Sequence, residues 1–98
     1  MFIRVTHFKA IDGRWDDLVN VFNESTIPHL EAKEGFMRVI LTGDKGLGQG
    51  SIITMWKNAE LGGGEGTGGT DCALDTINDL IAGQPSTSGY VEISEREF

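Results

Sequence analysis

The segment Phe2–Phe8 (FIRVTHF) alternates two sets of side chains, and this alternation decides the fold. One set comprises Ile3, Val5 and His7, and the other comprises Phe2, Arg4, Thr6 and Phe8. Successive side chains of a β-strand point to opposite faces of the sheet, so each set lies on its own face. Because both sets contain apolar groups, we expect both faces of this strand to be covered.

An amphipathic pattern follows this strand and predicts a helix, for which Asp12 is the expected N-cap. Its apolar residues recur every three or four positions and are Trp15, Leu18, Val19, Phe22, Ile27 and Leu30. Pro28 lacks the N–H that a helix interior needs. The helix is therefore expected to kink there, or to stop near residues 24–26 and restart with Pro28 in a first turn. Gly35 suits a left-handed cap.

Two further strands are predicted at Phe36–Thr42 and Ser51–Trp56, joined by a glycine-rich hairpin. A second helix is predicted over Asp71–Ala82, capped by Thr70 or Asp71 and followed by a last strand at Gly89–Ser94. The order β-α-β-β-α-β indicates a ferredoxin-like α+β fold. We expect a four-stranded antiparallel sheet with two helices on one face, in a single domain spanning residues 1–98.

Two helices cover only one face of such a sheet, so the other face needs a different cover. Several residues expected on that face are too apolar to be left in water, and they are Phe2, Phe8, Val39 or Ile40, Ile53 and Met55. A homodimer formed through the sheet faces would bury them, and two-fold pairs are the commonest assembly.

Composition narrows the classes of partner. The 98 residues carry fifteen acidic and eight basic side chains, for a formal charge of -7. This surface would repel nucleic acid and anionic membranes, so neither is expected as a partner. No apolar run is long enough to span a bilayer, and the single cysteine, Cys72, forms no internal disulfide. A cytoplasmic protein is the expectation.

The glycine-rich stretch at residues 61–69 contains the spacing Gly64-x-Gly66-x-x-Gly69. Dinucleotide-binding loops use this spacing to bring the backbone close to a pyrophosphate. A chain of this length cannot form a doubly wound sheet, and Glu65 would repel phosphate. The stretch is therefore predicted to be a flexible loop, which in an enzyme would serve as a lid.

Three features together resemble a known family. Ile27-Pro28-His29-Leu30 closes the first helix ahead of Glu34-Gly35-Phe36, Ile53-Thr54-Met55-Trp56-Lys57 closes the third strand, and the element order is the same. On these features the chain resembles the antibiotic biosynthesis monooxygenase-like proteins of the dimeric α/β-barrel superfamily.

The resemblance implies a dimeric α/β-barrel with a pocket in each subunit, between the sheet and the helices and bordered by Trp56. It implies a cofactor-independent monooxygenase acting on a small aromatic or polyketide-like compound, with no cofactor and no metal. Ile52 stands where the quinone-forming members have an asparagine, and the predicted second helix lacks the histidine of the haem-degrading members. The alternative is a non-catalytic protein that binds a small apolar or aromatic ligand, or serves in assembly, on the same dimeric scaffold.

The candidate site residues are His7 as the catalytic group and Trp56, Thr54, Arg38 and His29 as substrate-binding groups. An imidazole accepts or donates protons near neutral pH, which makes His7 a candidate base or acid. Each residue also has a structural interpretation. His7 and Trp56 would then be satisfied core or interface residues, Arg38 would pair with a carboxylate or lie at the rim, and His29 would be solvated.

Overall fold

A computed structural model describes residues 1–63, 66–67, 72–91 and 94–97. In these residues, five strands form one antiparallel sheet in the order β2-β3-β1-β5-β4. The strands are β1 (Phe2–Ala10), β2 (Phe36–Asp44), β3 (Gln49–Trp56), β4 (Gly66–Thr67) and β5 (Ile81–Val91). The four long strands have the ferredoxin-like order, which confirms the predicted fold class.

One helical segment of 17 residues packs on the sheet. It comprises α1 (Trp15–Val21), a π-helical turn (Phe22–Thr26) and α2 (Ile27–Glu31). The π turn ends two residues before Pro28, which cannot donate a backbone hydrogen bond, and the Ile27 N–H donates to the Phe22 carbonyl. The predicted disruption lies at the right place, although the helix continues through it. Gly35 has the predicted left-handed conformation, with a φ of +78°.

The helix does not begin with the predicted cap. Arg14 occupies the N-cap position, and no side chain there caps the first turn. Asp16 and Asp17 do lie in that first turn, where carboxylates favour the positive end of the helix dipole.

The predicted second helix is wrong within the described residues. Two short 3-10 helices, Cys72–Leu74 and Asn78–Leu80, occupy its place and are held by i→i-3 backbone bonds such as Ile77 N–H to the Leu74 carbonyl. The buried residues Leu74, Ile77 and Leu80 recur every three positions, which matches a 3-10 turn better than an α-helix. Asp, Thr and Asn residues between them favour turns over helices. Thr70 and Asp71, the predicted caps, lie outside the described residues.

The last strand begins earlier than predicted, because Ile81 and Ala82 belong to β5. Gly83, the residue that follows the predicted second helix, has a φ of +70° within this strand. The pairing of β5 with β1 shifts register between His7 and Lys9, and Pro85 lies in this irregular stretch. A bulge tolerates proline because the missing N–H breaks no regular ladder bond. The strand is described as far as Val91.

The inner face of the sheet, which packs against the helix, carries the core. From β1 it carries the even-numbered set of side chains, including Phe2 and Phe8, and from β3 it carries Ile52 and Trp56. The helix contributes a buried residue at every fourth position, and these are Leu18, Phe22, Thr26 and Leu30. Trp15 lies close over Gly43 and Gly50, where a Cβ would collide with its ring.

The outer face of the sheet is not covered by the helix. Its side chains form three rows across β2, β3, β1 and β5: Arg38–Met55–Ile3–Tyr90, Ile40–Ile53–Val5–Ser88 and Thr42–Ser51–His7–Ser86. The prediction for Ile40, Ile53 and Met55 is therefore confirmed. Of the alternatives Val39 and Ile40, the structure selects Ile40, whereas Phe2 and Phe8 were predicted for this face wrongly, because they point to the inner face.

The glycine-rich stretch is described only in part. Residues 61–63 form a turn, and Gly66–Thr67 pairs with Ser88 and Gly89 of β5. Residues 64, 65 and 68–69 of the predicted flexible loop lie outside the described residues. Among the residues described, no helix is long and apolar enough to cross a bilayer.

Candidate functional site

Trp56 ends β3 on the inner face and is only 2% exposed. Its indole N–H donates to Thr54 Oγ1 at 2.8 Å, and its ring packs edge-on against Phe36 with centroids 5.4 Å apart. Thr54 is two residues earlier on the same strand, so both side chains point inward. The indole is thereby fixed in orientation, and its N–H is already satisfied within the protein.

A cavity of about 440 Å³ opens beside Trp56, between the end of the helix and the segment that follows β3. The residues that line it are Lys33, Glu34, Trp56, Glu60, Leu61, Gly62, Gly63, Cys72 and Asp75. Three carboxylates and one ammonium group therefore surround its mouth. The volume suits a small ligand, and the carboxylates disfavour one that arrives with negative charge.

Buried polar side chains also lie on the inner face of the sheet. They are Arg4, Thr6, Thr54 and Thr87. The hydroxyls of Thr6 and Thr87 are 2.9 Å apart across β1 and β5, and Arg4 donates from Nε to the Gly62 carbonyl at 2.8 Å. No buried side-chain nitrogen or oxygen of the described residues lacks a partner. These hydrogen bonds hold the inner-face polar groups in fixed positions, and Arg4 contacts Gly62, a residue that lines the cavity.

Arg4 lies on the inner face, although it belongs to the side-chain set of Phe2 and Phe8, which were expected on the outer face. It is 3% exposed and lies between Phe2 and Thr6 on the inner face. The signal was present in the alternation itself, because Arg4 shares its face with Phe2 and Phe8. Once those phenylalanines form the core, Arg4 must also point inward.

His29 lies near the end of the helix and reaches the cavity through a second residue. Its Nε2 is 3.2 Å from Asp75 Oδ2, and Asp75 lines the cavity. The nearby hydroxyls of Thr26 and Thr76 are 2.6 Å apart, and they join the helix to the residues between the two 3-10 helices, which include Asp75. His29 therefore positions the cavity wall, while its own side chain is not among the lining residues.

His7 lies on the outer face, on the opposite side of the sheet from Trp56. Its Nδ1 is 2.6 Å from Ser51 Oγ, and both residues are accessible to solvent. They line an open cleft of about 570 Å³ with Lys9, Thr42 and Ser86, among others. The hypothesis that His7 acts on a ligand held beside Trp56 does not fit this placement.

Arg38 is also exposed on the outer face, two rows away from His7. It lines a third cavity of about 460 Å³ with Met1, Ile3, Met37 and Met55. Of the five predicted site residues, only Trp56 and Thr54 are brought together. No group of three or more metal-ligating side chains occurs among the residues described.

No family model matches the sequence, and no curated protein matches it. Solved structures do match along nearly the whole chain. A candidate antibiotic biosynthesis monooxygenase from Bordetella bronchiseptica superposes with a TM-score of 0.74 at 11% identity, covering 95% of this chain and 97% of that one. The chain has the fold of the antibiotic biosynthesis monooxygenases.

Two other structures with this fold have different chemistry. SnoaB, a cofactor-independent oxygenase from Streptomyces nogalater, matches with a TM-score of 0.69 at 14% identity, over 96% of this chain and 94% of its own. MhuD, solved with two manganese protoporphyrin IX molecules per active site, matches with a TM-score of 0.68 at 14% identity, over the full length of both chains. The monooxygenase fold therefore does not decide the reaction, and the residues of this chain must.

Proposed function

We propose that this protein is a cofactor-independent monooxygenase that binds a small planar aromatic or polyketide-like compound beside Trp56. The observation that carries the proposal is the cavity of about 440 Å³ against the indole, between the helix end and the sheet. The orientation of the indole is fixed by Thr54 and Phe36, so the ring offers a rigid surface on which a planar ligand can stack.

The proposed reaction converts a CH₂ group beside an aromatic ketone into a carbonyl. A base removes a proton, and the resulting carbanion reduces O₂ and forms a C–O bond, giving a peroxide. Loss of water from the protonated peroxide leaves the new carbonyl, so one oxygen atom enters the product and the other leaves as water. Glu34, Glu60 and Asp75 line the cavity and are its candidate proton acceptors.

The test is oxygen consumption with an anthrone-like ketone, measured against the uncatalysed rate. We expect Trp56→Phe to lower kcat/KM by at least about tenfold, because the smaller ring loses stacking area and the Thr54 hydrogen bond. Trp15→Phe is the matched control, since Trp15 packs on the hairpin glycines away from this cavity. Oxygen uptake no faster than in buffer would exclude this reaction for the substrate class.

A non-catalytic ligand-binding protein is the second candidate. It is favoured by Ile52, a fully buried residue that offers no polar group, and by the Trp56 N–H, which is already bound to Thr54. Saturable binding of the ketone without oxygen uptake would select this function over the oxygenase.

We also propose that two copies pair through their outer sheet faces. The first two outer rows bring together Ile3, Val5, Ile40, Ile53 and Met55, and none of these lies beneath the helix. Met37 and Tyr90, at the edges of this region, are 59% and 57% exposed. A second copy would remove this apolar surface from water.

A further inference from the structure

The Gly62 carbonyl is bound by an arginine inside the protein. Arg4 Nε donates to it at 2.8 Å, and the guanidinium carbon lies 5.6 Å from the centroid of the Phe2 ring. A guanidinium has only donors, so it needs acceptor oxygens wherever it is buried. Gly62 supplies one of them from the segment Leu61–Gly63.

This segment lies between Arg4 and the cavity beside Trp56. Gly62 is buried, and a Cβ at this position would lie 3.0 Å from Trp56 Cγ and even closer to the Phe2 ring. At Gly63, which has a φ of +96°, a Cβ would lie 3.1 Å from Arg4 Nη2. The backbone of Gly62 therefore rests on the indole, where a planar ligand would stack, and its carbonyl faces the guanidinium.

We infer that the Gly62 carbonyl occupies the position of a ligand oxygen, and that Arg4 selects ligands carrying a carbonyl, enolate or phenolate oxygen. The ligand displaces Leu61–Gly63, stacks on Trp56 and places its oxygen at Arg4. The inference rests on the proposed site beside Trp56, and it adds the group that recognises the ligand and the chemical feature recognised.

Exchange of one acceptor for another leaves the buried donor satisfied throughout. The segment that must move contains two glycines, which lose few side-chain contacts and regain backbone freedom when released. An anionic oxygen forms a shorter and stronger bond to guanidinium than a neutral carbonyl does. In the proposed reaction, Arg4 would therefore favour the enolate over the neutral ketone, which lowers the barrier to proton removal.

The first test compares naphthol with naphthalene, which share a ring system and differ by one oxygen. Binding is followed through the Trp56 indole and Gly62 amide N–H resonances by two-dimensional NMR. We expect naphthol to bind at least about tenfold more tightly than naphthalene, and both resonances to move together. In Arg4→Gln the preference should fall to about twofold or less, because a neutral amide replaces the cation.

Arg14→Gln is the matched control, since it removes the same charge from an exposed side chain at the start of the helix, and the preference of this variant for naphthol should equal that of the unmodified protein. Arg4→Lys is a second variant in case Arg4→Gln does not fold. It retains the positive charge and should keep an intermediate preference for naphthol. An unchanged preference in a folded Arg4→Gln variant would overturn the inference. A change in the chemical shift of the Trp56 indole N–H on binding, with no change at the Gly62 amide, would also overturn the inference.

The second test uses Gly62→Ala, in which the added methyl cannot fit while the segment rests on Phe2 and Trp56. We expect both probes to bind at least about threefold more tightly, because less of the protein is in the closed arrangement. Gly46→Ala, in the hairpin turn, is the control. Weaker binding of both probes to a folded Gly62→Ala variant would contradict displacement.

These measurements require no turnover. If the preference depends on Arg4 but oxygen is not consumed, the oxygenase proposal fails and the inference stands. If oxygen is consumed and the preference does not depend on Arg4, the inference alone fails.

Discussion

The two faces of the sheet are formed by the same strands but differ in burial and polarity. Thr6 and His7 are neighbours in β1, yet Thr6 is fully buried beneath the helix and His7 is exposed on the outer face. On the inner face, the polar side chains are buried and hydrogen-bonded within the core. On the outer face, two rows contain mostly apolar residues and the third row is polar. On this difference we base the proposals that the inner face holds the ligand and that the outer face holds a partner subunit.

The largest expected effect comes from the inner core. Leu18→Ala should lower the free energy of unfolding by about 2–5 kcal/mol, because a fully buried leucine leaves a cavity. Asn20→Ala, on the exposed side of the same helix, should change it by less than about 0.5 kcal/mol. Denaturant unfolding measures both, and equal values would mean that the helix does not pack on this face.

Substitutions on the outer face should weaken dimerisation rather than lower the free energy of unfolding. A lysine at Ile53, in the middle apolar row, should weaken dimerisation by at least roughly 30-fold, because the two-fold axis places two charges in the interface. Sedimentation equilibrium measures this change, with Ile11→Lys as the control outside the sheet. A monomeric unmodified protein, or equal dimer affinity in the two variants, would contradict pairing through this face.

Two side-chain hydrogen bonds made by neighbouring residues of β1 permit a closer comparison of the faces: Thr6 with Thr87 on the inner face and His7 with Ser51 on the outer face. Thr87→Val removes the buried partner of Thr6 and should cost about 1 kcal/mol of unfolding free energy. Ser51→Ala removes the exposed partner of His7 and should cost less than about 0.5 kcal/mol, because water replaces it. Both free energies of unfolding are measured by denaturation of variants that also carry Ile53→Lys. In these variants we expect the outer face to contact water, because dimerisation is weakened. A larger cost for Ser51 would show that the outer face is not solvated there.

The smallest expected effect concerns His7. If the chemistry occurs beside Trp56, His7→Ala should leave kcat/KM of the ketone within about twofold, because the sheet separates the imidazole from the cavity. Oxygen-uptake kinetics measure this value. A loss of tenfold or more would return His7 to the mechanism and move the reaction to the outer face.

Local chemistry was enough to predict several features from the sequence. Alternation in Phe2–Phe8 predicted two side-chain sets that the structure keeps apart, since the period of a strand leaves no other arrangement. The missing N–H of Pro28 predicted either a kink at that residue or a stop near residues 24–26, and the structure has a π turn at Phe22–Thr26. Gly35 was assigned its left-handed conformation because only glycine adopts it without strain.

Tertiary packing decided the rest. Both faces of β1 carry apolar groups, so the pattern could not tell which set lies beneath the helix, and Phe2, Phe8 and Arg4 turned inward together. The segment around Ile77 has apolar residues at spacings that suit an α-helix or a 3-10 turn, and contacts such as Thr26–Thr76 fix the turn. Trp56 and Thr54 share a site because they are two residues apart on one strand. His7 and Arg38 lie on the opposite face of the sheet, and His29 meets the cavity through Asp75, because distances between elements depend on packing, which periodicity does not encode.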